Sequence, residues 1–370
     1  MIIGVPKEIK ENEGRVGLVP DGVEVLAKDG HKVLVERGAG EGSRVGDGEY
    51  RDAGAEILPS KEEVYSGSDM IVKVKEPLPA EFDLFKTGQI LFTYLHLAAA
   101  PELTRCLIEK KVIAIAYETV QLDNGSLPLL TPMSEIAGRL AVLEGARFLK
   151  TTEGGRGVLL SCVPGLEPGK VAIFGGGTVG TNAAQIAIGL EADVSLFDIN
   201  IDRLRSLETF FSGKIRTLYP NRYNIEKVIP QAHLIIGAVL VPGGKAPNVL
   251  KRDILKKMKK GTVIVDVAID QGGCFESSRP TTYSNPVFVE EGILHYCVAN
   301  MPGAVPRTST YALSNVTFPY VREIANKGVK KAALDSPSLK KGFNVYDGCV
   351  VHSGVADGLG LSYTDIDSIL

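Results

Sequence analysis

The amino-acid sequence predicts an α/β fold made of two doubly wound domains, one inserted into the other. The first observation behind this prediction is that short apolar strand signals alternate with helix signals over most of the 370 residues. The second is a glycine-rich turn, FGGGTVG, which begins almost halfway along the chain at Phe174. The third is the tail after Lys327, which is too short for a third domain and is therefore expected to pack on the first.

Composition and charge are those of an ordinary soluble globular protein. Hydrophobic residues make up 44%, charged residues 23%, and the formal net charge is −3, so nothing favours nucleic acid or a membrane as a partner. The chain is charged from Lys7 onward and has no apolar run of about 18 residues, which argues against a signal peptide and a membrane span. The cysteines contain no C-x-x-C pair, so we expect a reducing, cytoplasmic location; they are Cys106, Cys162, Cys274, Cys297 and Cys349.

The first 120 residues contain five strand candidates with helix signals between them. The predicted helices are Pro20–Lys28 and a segment from Pro101 to about Lys110, where proline stands at an early position that needs no N–H. The predicted strands are 2–6, 31–36, 69–75, 90–96 and 112–120. Strands that alternate with helices in this way predict a parallel sheet.

A connecting helix is predicted to begin at Thr131, with its hydroxyl as the cap, and to run to Lys150. A second series of strands follows at 170–174, 193–198, 233–239, 262–268 and 293–299. A long helix is then expected over 309–327, and the tail carries one strand-like patch near Val350. We therefore predict one discontinuous domain, 1–130 with 305–370, and an inserted domain, 131–304.

The glycine-rich turn satisfies several conditions of a Rossmann dinucleotide-binding unit. Gly175, Gly177 and Gly180 follow a strand and open a predicted helix, Thr178 to Leu190. Gly175 allows a tight turn, Gly177 lets the backbone approach a pyrophosphate, and Gly180 lets the helix pack closely on the strand. The helix N-terminus then offers N–H groups to the phosphates. The alternative is a glycine-rich turn without a ligand.

The next strand ends on Asp198, where the carboxylate that binds the ribose hydroxyls is expected. A carboxylate at this point repels a 2′-phosphate and favours NAD over NADP. Arg203 lies five residues later and could accept a 2′-phosphate or stack on adenine. NAD is the favoured cofactor.

Four chemically capable residues stand at predicted strand ends or just after them: Arg15, Lys75, His96 and Asp270. Ligands bind at the carboxyl ends of parallel strands, so this placement indicates a site with two cations and two proton-transfer groups. Each residue also has an ordinary interpretation. Lys75 could be solvated, since Lys73 shows that the same strand tolerates cations on one face. His96 could be a core histidine, and Asp270 could merely end a strand.

Several long motifs then show a resemblance to a known family. VPKE, VKVKEP, TYLHLA, TPMSEIAGR, GGGTVG, DVAIDQGGC and VANMPGAVPRTST lie in the family's order over nearly the whole chain. The chain resembles the alanine dehydrogenases of the alanine dehydrogenase/pyridine nucleotide transhydrogenase family. The resemblance implies oxidation of L-alanine to pyruvate and ammonia with NAD, or the reverse, in a homo-hexamer whose first domain is discontinuous.

The resemblance also implies a role for each site residue. Arg15 binds the substrate carboxylate, Lys75 binds the carbonyl or carboxylate, and His96 and Asp270 form the acid/base pair. Together with the glycines, the implied cofactor or site-lining positions are Met133, Ser134, Gly175, Gly177, Thr178, Val179, Gly180, Asp198, Arg203, Val239, Leu240, Val267, Ala268, Ile269, Asp270, Arg279, Val298, Ala299, Asn300 and Met301.

Two departures from the family pattern and one alternative function affect the predicted site and activity. Pro220 stands where some members place a cofactor-contacting serine, so it is left out of the site. Some members bind magnesium through a Glu and a His four residues later, but Glu323 is followed by Lys327, so no metal is expected. The alternative is the NAD-binding component of a proton-translocating transhydrogenase, which docks on a membrane protein and handles no amino acid. The four candidate residues favour a substrate pocket instead.

Overall fold

Two β-sheets, each with helices around it, organise the chain in a computed structural model that describes residues 1–239 and 246–370. One sheet belongs to a unit made of Met1–Met133 and Gly303–Leu370, and the other to a unit made of Ser134–Pro302. The strands are β1 Ile2–Val5, β2 Lys32–Glu36, β3 Glu56–Leu58, β4 Met70–Val72, β5 Ile90–Thr93, β6 Ile113–Ala116, β7 Lys170–Phe174, β8 Asp193–Phe197, β9 Arg216–Leu218, β10 Leu234–Gly237, β11 Val263–Asp266, β12 Val287–Glu290, β13 Ile293–Tyr296, β14 Phe343–Tyr346 and β15 Cys349–Val350.

The α-helices of the described residues connect these strands. They are α1 Pro20–Lys28, α2 Asp47–Asp52, α3 Lys61–Gly67, α4 Pro79–Phe82, α5 Pro101–Glu109, α6 Thr131–Phe148, α7 Thr178–Gly189, α8 Ile201–Phe210, α9 Arg222–Val228, α10 Pro306–Lys327, α11 Val329–Asp335, α12 Pro337–Lys340 and α13 Ser353–Leu359. Within the described ranges, no helix is both long enough and apolar enough to cross a membrane.

Both sheets are parallel in their centres. The first has the order β15-β14-β6-β5-β4-β1-β2-β3, and the second has the order β12-β13-β11-β10-β7-β8-β9. Antiparallel pairing occurs at their margins, between β6 and β14, between β14 and β15, and between β12 and β13. The predicted α/β class with doubly wound sheets is confirmed.

The central strands are apolar because the sheet is covered on both faces. In β10 all four residues are buried, and their side chains alternate between two cores. Leu234 and Ile236 join the core on one face of the second sheet, whereas Ile235 joins the core on the other. This burial on both faces explains why strands of a parallel sheet appear in the sequence as continuous apolar runs.

Two strands that position candidate residues end earlier than the sequence predicts. β4 ends at Val72 and β5 at Thr93, whereas the apolar runs suggested Lys75 and His96 as the last residues. The reason is that side-chain carboxylates bind the following backbone N–H groups. Glu8 accepts from the amides of Val74 and Lys75, and Glu118 accepts from that of His96. The candidate residues Lys75 and His96 therefore lie on short loops just beyond the strands.

Other predicted features differ in detail. The Thr131 hydroxyl donates to the Leu127 carbonyl at 2.9 Å and does not cap α6, because Thr131 is already inside the first turn. The tail contains two strands, β14 and β15, and the helices α11, α12 and α13, where one strand was expected. The marginal strands β3, β9 and β12 were also missed, because they are only partly buried and give a weaker apolar signal than the central strands.

A polar network joins the two segments of the first unit. Arg322 of α10 donates two hydrogen bonds to Asp29 at the end of α1, at 2.6 and 3.0 Å. Asn326 donates to the same carboxylate and contacts the ring of His31. The hydrogen bonds from Arg322 and Asn326 lower the pKa of Asp29 to about 2. This network ties the chain's beginning to its C-terminal third.

We expect Asp29→Asn to lower the thermal midpoint at neutral pH. A depressed carboxyl pKa stabilises the folded state above the unfolded pKa of about 3.9, and that stabilisation is lost as pH falls through about 2. The difference in midpoint between the variant and the wild type should therefore shrink between about pH 4 and pH 2. Glu24→Gln is the control, because Glu24 pairs with Lys28 inside α1 and joins no segments. A difference that stays constant down to pH 2 would contradict this account.

Candidate active site

The predicted cofactor residues of the second unit follow neighbouring parallel strands. They come after β8, β7, β10, β11 and β13, which are consecutive in the sheet. The strand order reverses between β7 and β10, since β8 and β9 extend to one side and β11 and β13 to the other. Doubly wound sheets bind ligands in the crevice outside the carboxyl ends at this reversal.

The glycine-rich turn has the geometry that a dinucleotide needs. Gly175 has φ of 99°, and a Cβ on Gly180 would lie 1.8 Å from the Gly175 carbonyl oxygen, so α7 packs directly on the turn. A Cβ on Gly177 would meet nothing within 4 Å, which leaves this backbone accessible. Helix α7 begins at Thr178 with Gly177 as its cap residue. The turn and the helix N-terminus therefore fit a pyrophosphate.

Asp198 and Arg203 both bind this turn. The Asp198 carboxylate accepts from the amides of Gly176, at 2.6 Å, and Asn200, at 2.8 Å. Arg203 donates from Nε to the Gly176 carbonyl at 2.7 Å and from Nη2 to the Thr181 hydroxyl at 2.8 Å. Each Asp198 oxygen keeps capacity for a further donor, such as a ribose hydroxyl. Arg203 braces the turn, and its direct contact with a cofactor stays a prediction.

The segment that carries Asp270 is a short 3-10 helix, Val267–Gln271, directly after β11. Ala268 and Ile269 are buried, whereas Asp270 is exposed. Val239 follows β10 and is partly buried, and Leu240 lies outside the described residues. The short helix thus presents Asp270 at the same sheet edge as the glycine-rich turn.

The remaining predicted cofactor residues follow β13 or flank the sheet. Val298 and Met301 are buried, and Asn300 has φ of 58°. The carbonyls of Asn300 and Met301 accept from the Tyr283 hydroxyl at 3.0 and 2.9 Å, which holds this loop in place. The Arg279 guanidinium lies 4.2 Å from the centre of the Phe288 ring, so its side chain already has an aromatic partner.

In the first unit, Arg15, Lys75 and His96 follow β1, β4 and β5, which are adjacent and parallel. A Cβ on Gly17 would lie 2.6 Å from the Val72 carbonyl oxygen, so the segment after Arg15 runs against the end of β4. The Thr93 hydroxyl donates to the Lys75 carbonyl at 3.0 Å, which links the ends of β4 and β5. The three residues therefore belong to one edge of the sheet.

Arg15 is buried and held by a carboxylate that sequence analysis missed. Its Nε donates to Glu13 Oε1 at 2.6 Å, Nη2 pairs with the other oxygen of the same carboxylate, and the Arg15 backbone amide also donates to Glu13. Nη1 contacts the Met133 sulfur at 3.1 Å. Burial alone would lower the pKa of Arg15, but the hydrogen bonds and charge of Glu13 raise it. Glu13 thus fixes both the charge and the orientation of the guanidinium.

The loop that carries Lys75 rests on a buried ionic network. Lys73 is 0% exposed and contacts Glu81 at 2.7 Å and Glu8 at 3.3 Å, so the cation that this strand carries is buried and paired. Burial would lower the pKa of Lys73, but the two carboxylates raise it. Burial raises the pKa of Glu8. Glu8 spans the network, because its other oxygen accepts from the amides of Val74 and Lys75 at 2.6 and 3.2 Å.

His96 lies on a strained loop and is not a core histidine, because its side chain is 51% exposed. Its φ is 49°, a left-handed conformation that is uncommon for non-glycine residues. Glu118, which follows β6, accepts from the His96 amide at 2.6 Å and from the Leu95 amide at 3.2 Å. Glu118 Oε1 also lies 3.8 Å from the His96 Nδ1, and the Tyr94 ring stacks parallel to the imidazole. These contacts orient a solvent-accessible imidazole.

At the position where some family members were expected to hold magnesium, Glu323 pairs with Lys327 at 2.8 Å, and Lys327 also contacts Asp335 at 2.9 Å. Across residues 1–239 and 246–370, no group of three or more His, Cys, Asp and Glu side chains is arranged to hold a metal ion. The Glu323 carboxylate therefore has a cation of its own chain beside it.

Family models match most of the chain, and relatives match all of it. Residues 4–137 match the model described as alanine dehydrogenase/PNT, N-terminal domain, and residues 141–353 match the model of the C-terminal domain. A protein from Methanococcus maripaludis named alanine dehydrogenase is 55% identical, and one of the same name from Staphylococcus saprophyticus is 54% identical; each alignment covers 100% of both chains. The chain belongs to the alanine dehydrogenase/PNT family.

The fold of this chain is similar to the folds of solved structures. A structure of an L-alanine dehydrogenase has a TM-score of 0.94 and 54% identity, and the match covers 97% of this chain and 99% of that one. A transhydrogenase from Sinorhizobium meliloti has a TM-score of 0.81 over 95% of this chain and 99% of that one, at 23% identity, which shows a shared fold alone. The resemblance inferred from the sequence motifs is confirmed.

We expect Gly180→Ala to destabilise this family member, because its Cβ would overlap the Gly175 carbonyl. The cost should be about 3 kcal/mol, at the upper end of the usual range for overpacking. Gly189→Ala at the end of α7 is the matched control, since its Cβ would meet nothing within 4 Å. The midpoint of urea unfolding, followed by circular dichroism, should fall for the first variant and stay level or rise for the second. Equal midpoints would show that α7 does not pack on the turn.

Proposed function

We propose that this protein is an NAD-dependent alanine dehydrogenase, which oxidises L-alanine to pyruvate and ammonia and catalyses the reverse reductive amination. One observation carries the proposal. A buried, carboxylate-oriented Arg15 shares a sheet edge with Lys75 and a solvent-accessible His96. This combination of carboxylate recognition and proton transfer suits a small amino or keto acid, whereas a module that only passes hydride between nucleotides has no use for it.

Arg15 and Lys75 bind the substrate in this proposal. The guanidinium of Arg15 brings a fixed positive charge to the substrate carboxylate, while Glu13 binds its Nε and Nη2 and prevents it from rotating. In the reductive direction, Lys75 polarises the pyruvate carbonyl while ammonia attacks it. Alignment of these groups supplies a large part of the rate acceleration, because the reacting atoms are held in place before reaction.

His96 and Asp270 carry the proton-transfer roles. His96 gives a proton to the departing hydroxyl of the carbinolamine, and in the oxidative direction it takes one from the attacking water. We assign Asp270 as the second acid/base residue. A bound NAD would supply hydride acceptance for the oxidation, and a bound NADH would supply hydride donation for the reverse reaction. The residues that would hold it are the glycine-rich turn, Asp198 and the loops after β10, β11 and β13.

We further propose a cytoplasmic homo-hexamer. The described cysteines are all free thiols, which suits a reducing compartment. The segment 155–169 of the second unit exposes apolar side chains, with Leu159 at 65% and Leu166 at 70%. Such exposure is expected where subunits of the same kind associate.

The purified protein should form NADH from L-alanine and NAD, with little reaction when NADP replaces NAD. We expect His96→Ala to lower kcat by about two to four orders of magnitude, the usual contribution of positioned proton transfer, while NADH binding measured by fluorescence stays within a few-fold. His31→Ala is the control, since His31 contacts the N-terminus and Asn326 instead.

Two outcomes would contradict this proposal. If no NADH forms from L-alanine but hydride passes between NADH and an oxidised nucleotide analogue, the transhydrogenase-component alternative gains support. If His96→Ala is fully active, the imidazole has no role in proton transfer.

A further inference from the structure

A single buried carboxylate organises the whole loop after β11. Asp266 is 0% exposed, and its Oδ1 accepts from the Ala268 amide at 3.0 Å. Its Oδ2 accepts from the amides of Cys274 and Phe275, at 2.8 and 3.3 Å, and from the Ser278 hydroxyl at 2.5 Å. The chain therefore leaves Asp266, makes the short helix, and returns to the same carboxylate. We call residues 267–278 the Asp266 loop.

The backbone of the loop is shaped around this carboxylate. Gly272 and Gly273 both have positive φ, at 88° and 78°. A Cβ on Gly273 would lie 2.9 Å from Asp266 Oδ2 and 2.8 Å from the Ser278 Cβ. The segment that returns to Asp266 therefore passes too close to its carboxylate for any residue other than glycine. The amides of Gly272 and Gly273 close the short helix on the carbonyls of Ile269 and Ala268. This arrangement leaves the loop little freedom while the carboxylate is present.

Asp270 is an exposed residue in the short helix of this closed loop, four residues after Asp266. We infer that Asp266 is a positioning residue, which sets the place of Asp270 by holding both ends of the loop that carries it. This inference rests on the proposed function, in which Asp270 transfers a proton. Asp266 acts through the backbone, because its oxygens face the interior of the loop.

Cys274, which lies in this loop, can be used to measure whether the loop stays closed. Cys274 is 0% exposed, and its Sγ lies 3.6 Å from Asp266 Oδ1. Cys297 is also 0% exposed but lies beside Asp266 and Ser278, so it is no independent control, whereas Cys162 is exposed. Labelling with N-ethylmaleimide, followed by mass spectrometry of the peptides, reports local opening of the loop, and amide hydrogen exchange in α7 reports general unfolding of the unit. Cys162 serves as the internal standard.

The test compares Asp266→Asn and Ser278→Ala with wild type, and with Asp253→Asn, an exposed acid of the same unit, as control. Ser278→Ala keeps the charge beside Cys274 and removes one hydrogen bond, so it separates loop order from thiol acidity. We expect Asp266→Asn to lower kcat for L-alanine oxidation about 10²-fold, as a displacement of about 1 Å would, with KM for L-alanine within a few-fold. Cys274 should label faster in both loop variants, and amide hydrogen exchange in α7 should not change.

Unchanged kcat in Asp266→Asn overturns the inference, whatever Cys274 does. Faster labelling of Cys274 together with faster amide exchange in α7 also overturns it, because Asp266 then supports the unit in general. Should wild type fail to oxidise L-alanine, the proposed function falls, and Cys274 labelling alone still decides whether Asp266 holds the loop.

Discussion

Carboxylates that accept backbone N–H groups just past the strand ends are the interaction on which the candidate site depends. A parallel strand that ends leaves amides without ladder partners, and buried amides need acceptors. Here Glu8 binds the loop of Lys75, Glu118 the loop of His96, Asp198 the glycine-rich turn, and Asp266 the loop of Asp270. Glu13 binds the backbone and side chain of Arg15 in the same way.

Burial of these acceptor carboxylates costs free energy, and their hydrogen bonds make the loops rigid. A buried carboxylate loses its hydration, and burial accordingly raises the pKa of both Glu8 and Asp266. Hydrogen bonds to an ionised group stabilise by about 1.5–3 kcal/mol each, which offsets that loss when several converge. The consequence is rigidity. Conformations that cost about 1–3 kcal/mol, such as the left-handed backbone at His96, persist because the surrounding contacts hold them.

Most of the fold was predictable because its signals are local. The buried strands are continuous apolar runs, and the glycine spacing with Asp198 lies within one short window. Strand ends were not predictable, since Val74 and Leu95 continue the apolar pattern although their amides bind carboxylates instead of a neighbouring strand. Marginal strands such as β9 are only partly buried and carry no continuous apolar run.

The supporting acids of the site were missed for a physical reason. Glu8 lies 66 residues from the amide of Val74, and Glu118 lies 22 residues from that of His96, so no spacing in the sequence connects them. The burial of Lys73 was not predicted, because a lone lysine gives no sign of two buried carboxylates nearby. Glu13 could have been found, because residues two apart in an extended segment share a face.

Amide hydrogen exchange around His96 tests the dependence on carboxylates most directly. The comparison is wild type against Glu118→Ala, with Glu102→Ala, an exposed acid at the start of α5, as control. The peptide that covers residues 93–99 should exchange faster in Glu118→Ala, peptides from the second unit should not change, and alanine oxidation should fall. Unchanged exchange in this peptide, or faster exchange with full activity, would contradict the claim that acceptor carboxylates hold the functional loops.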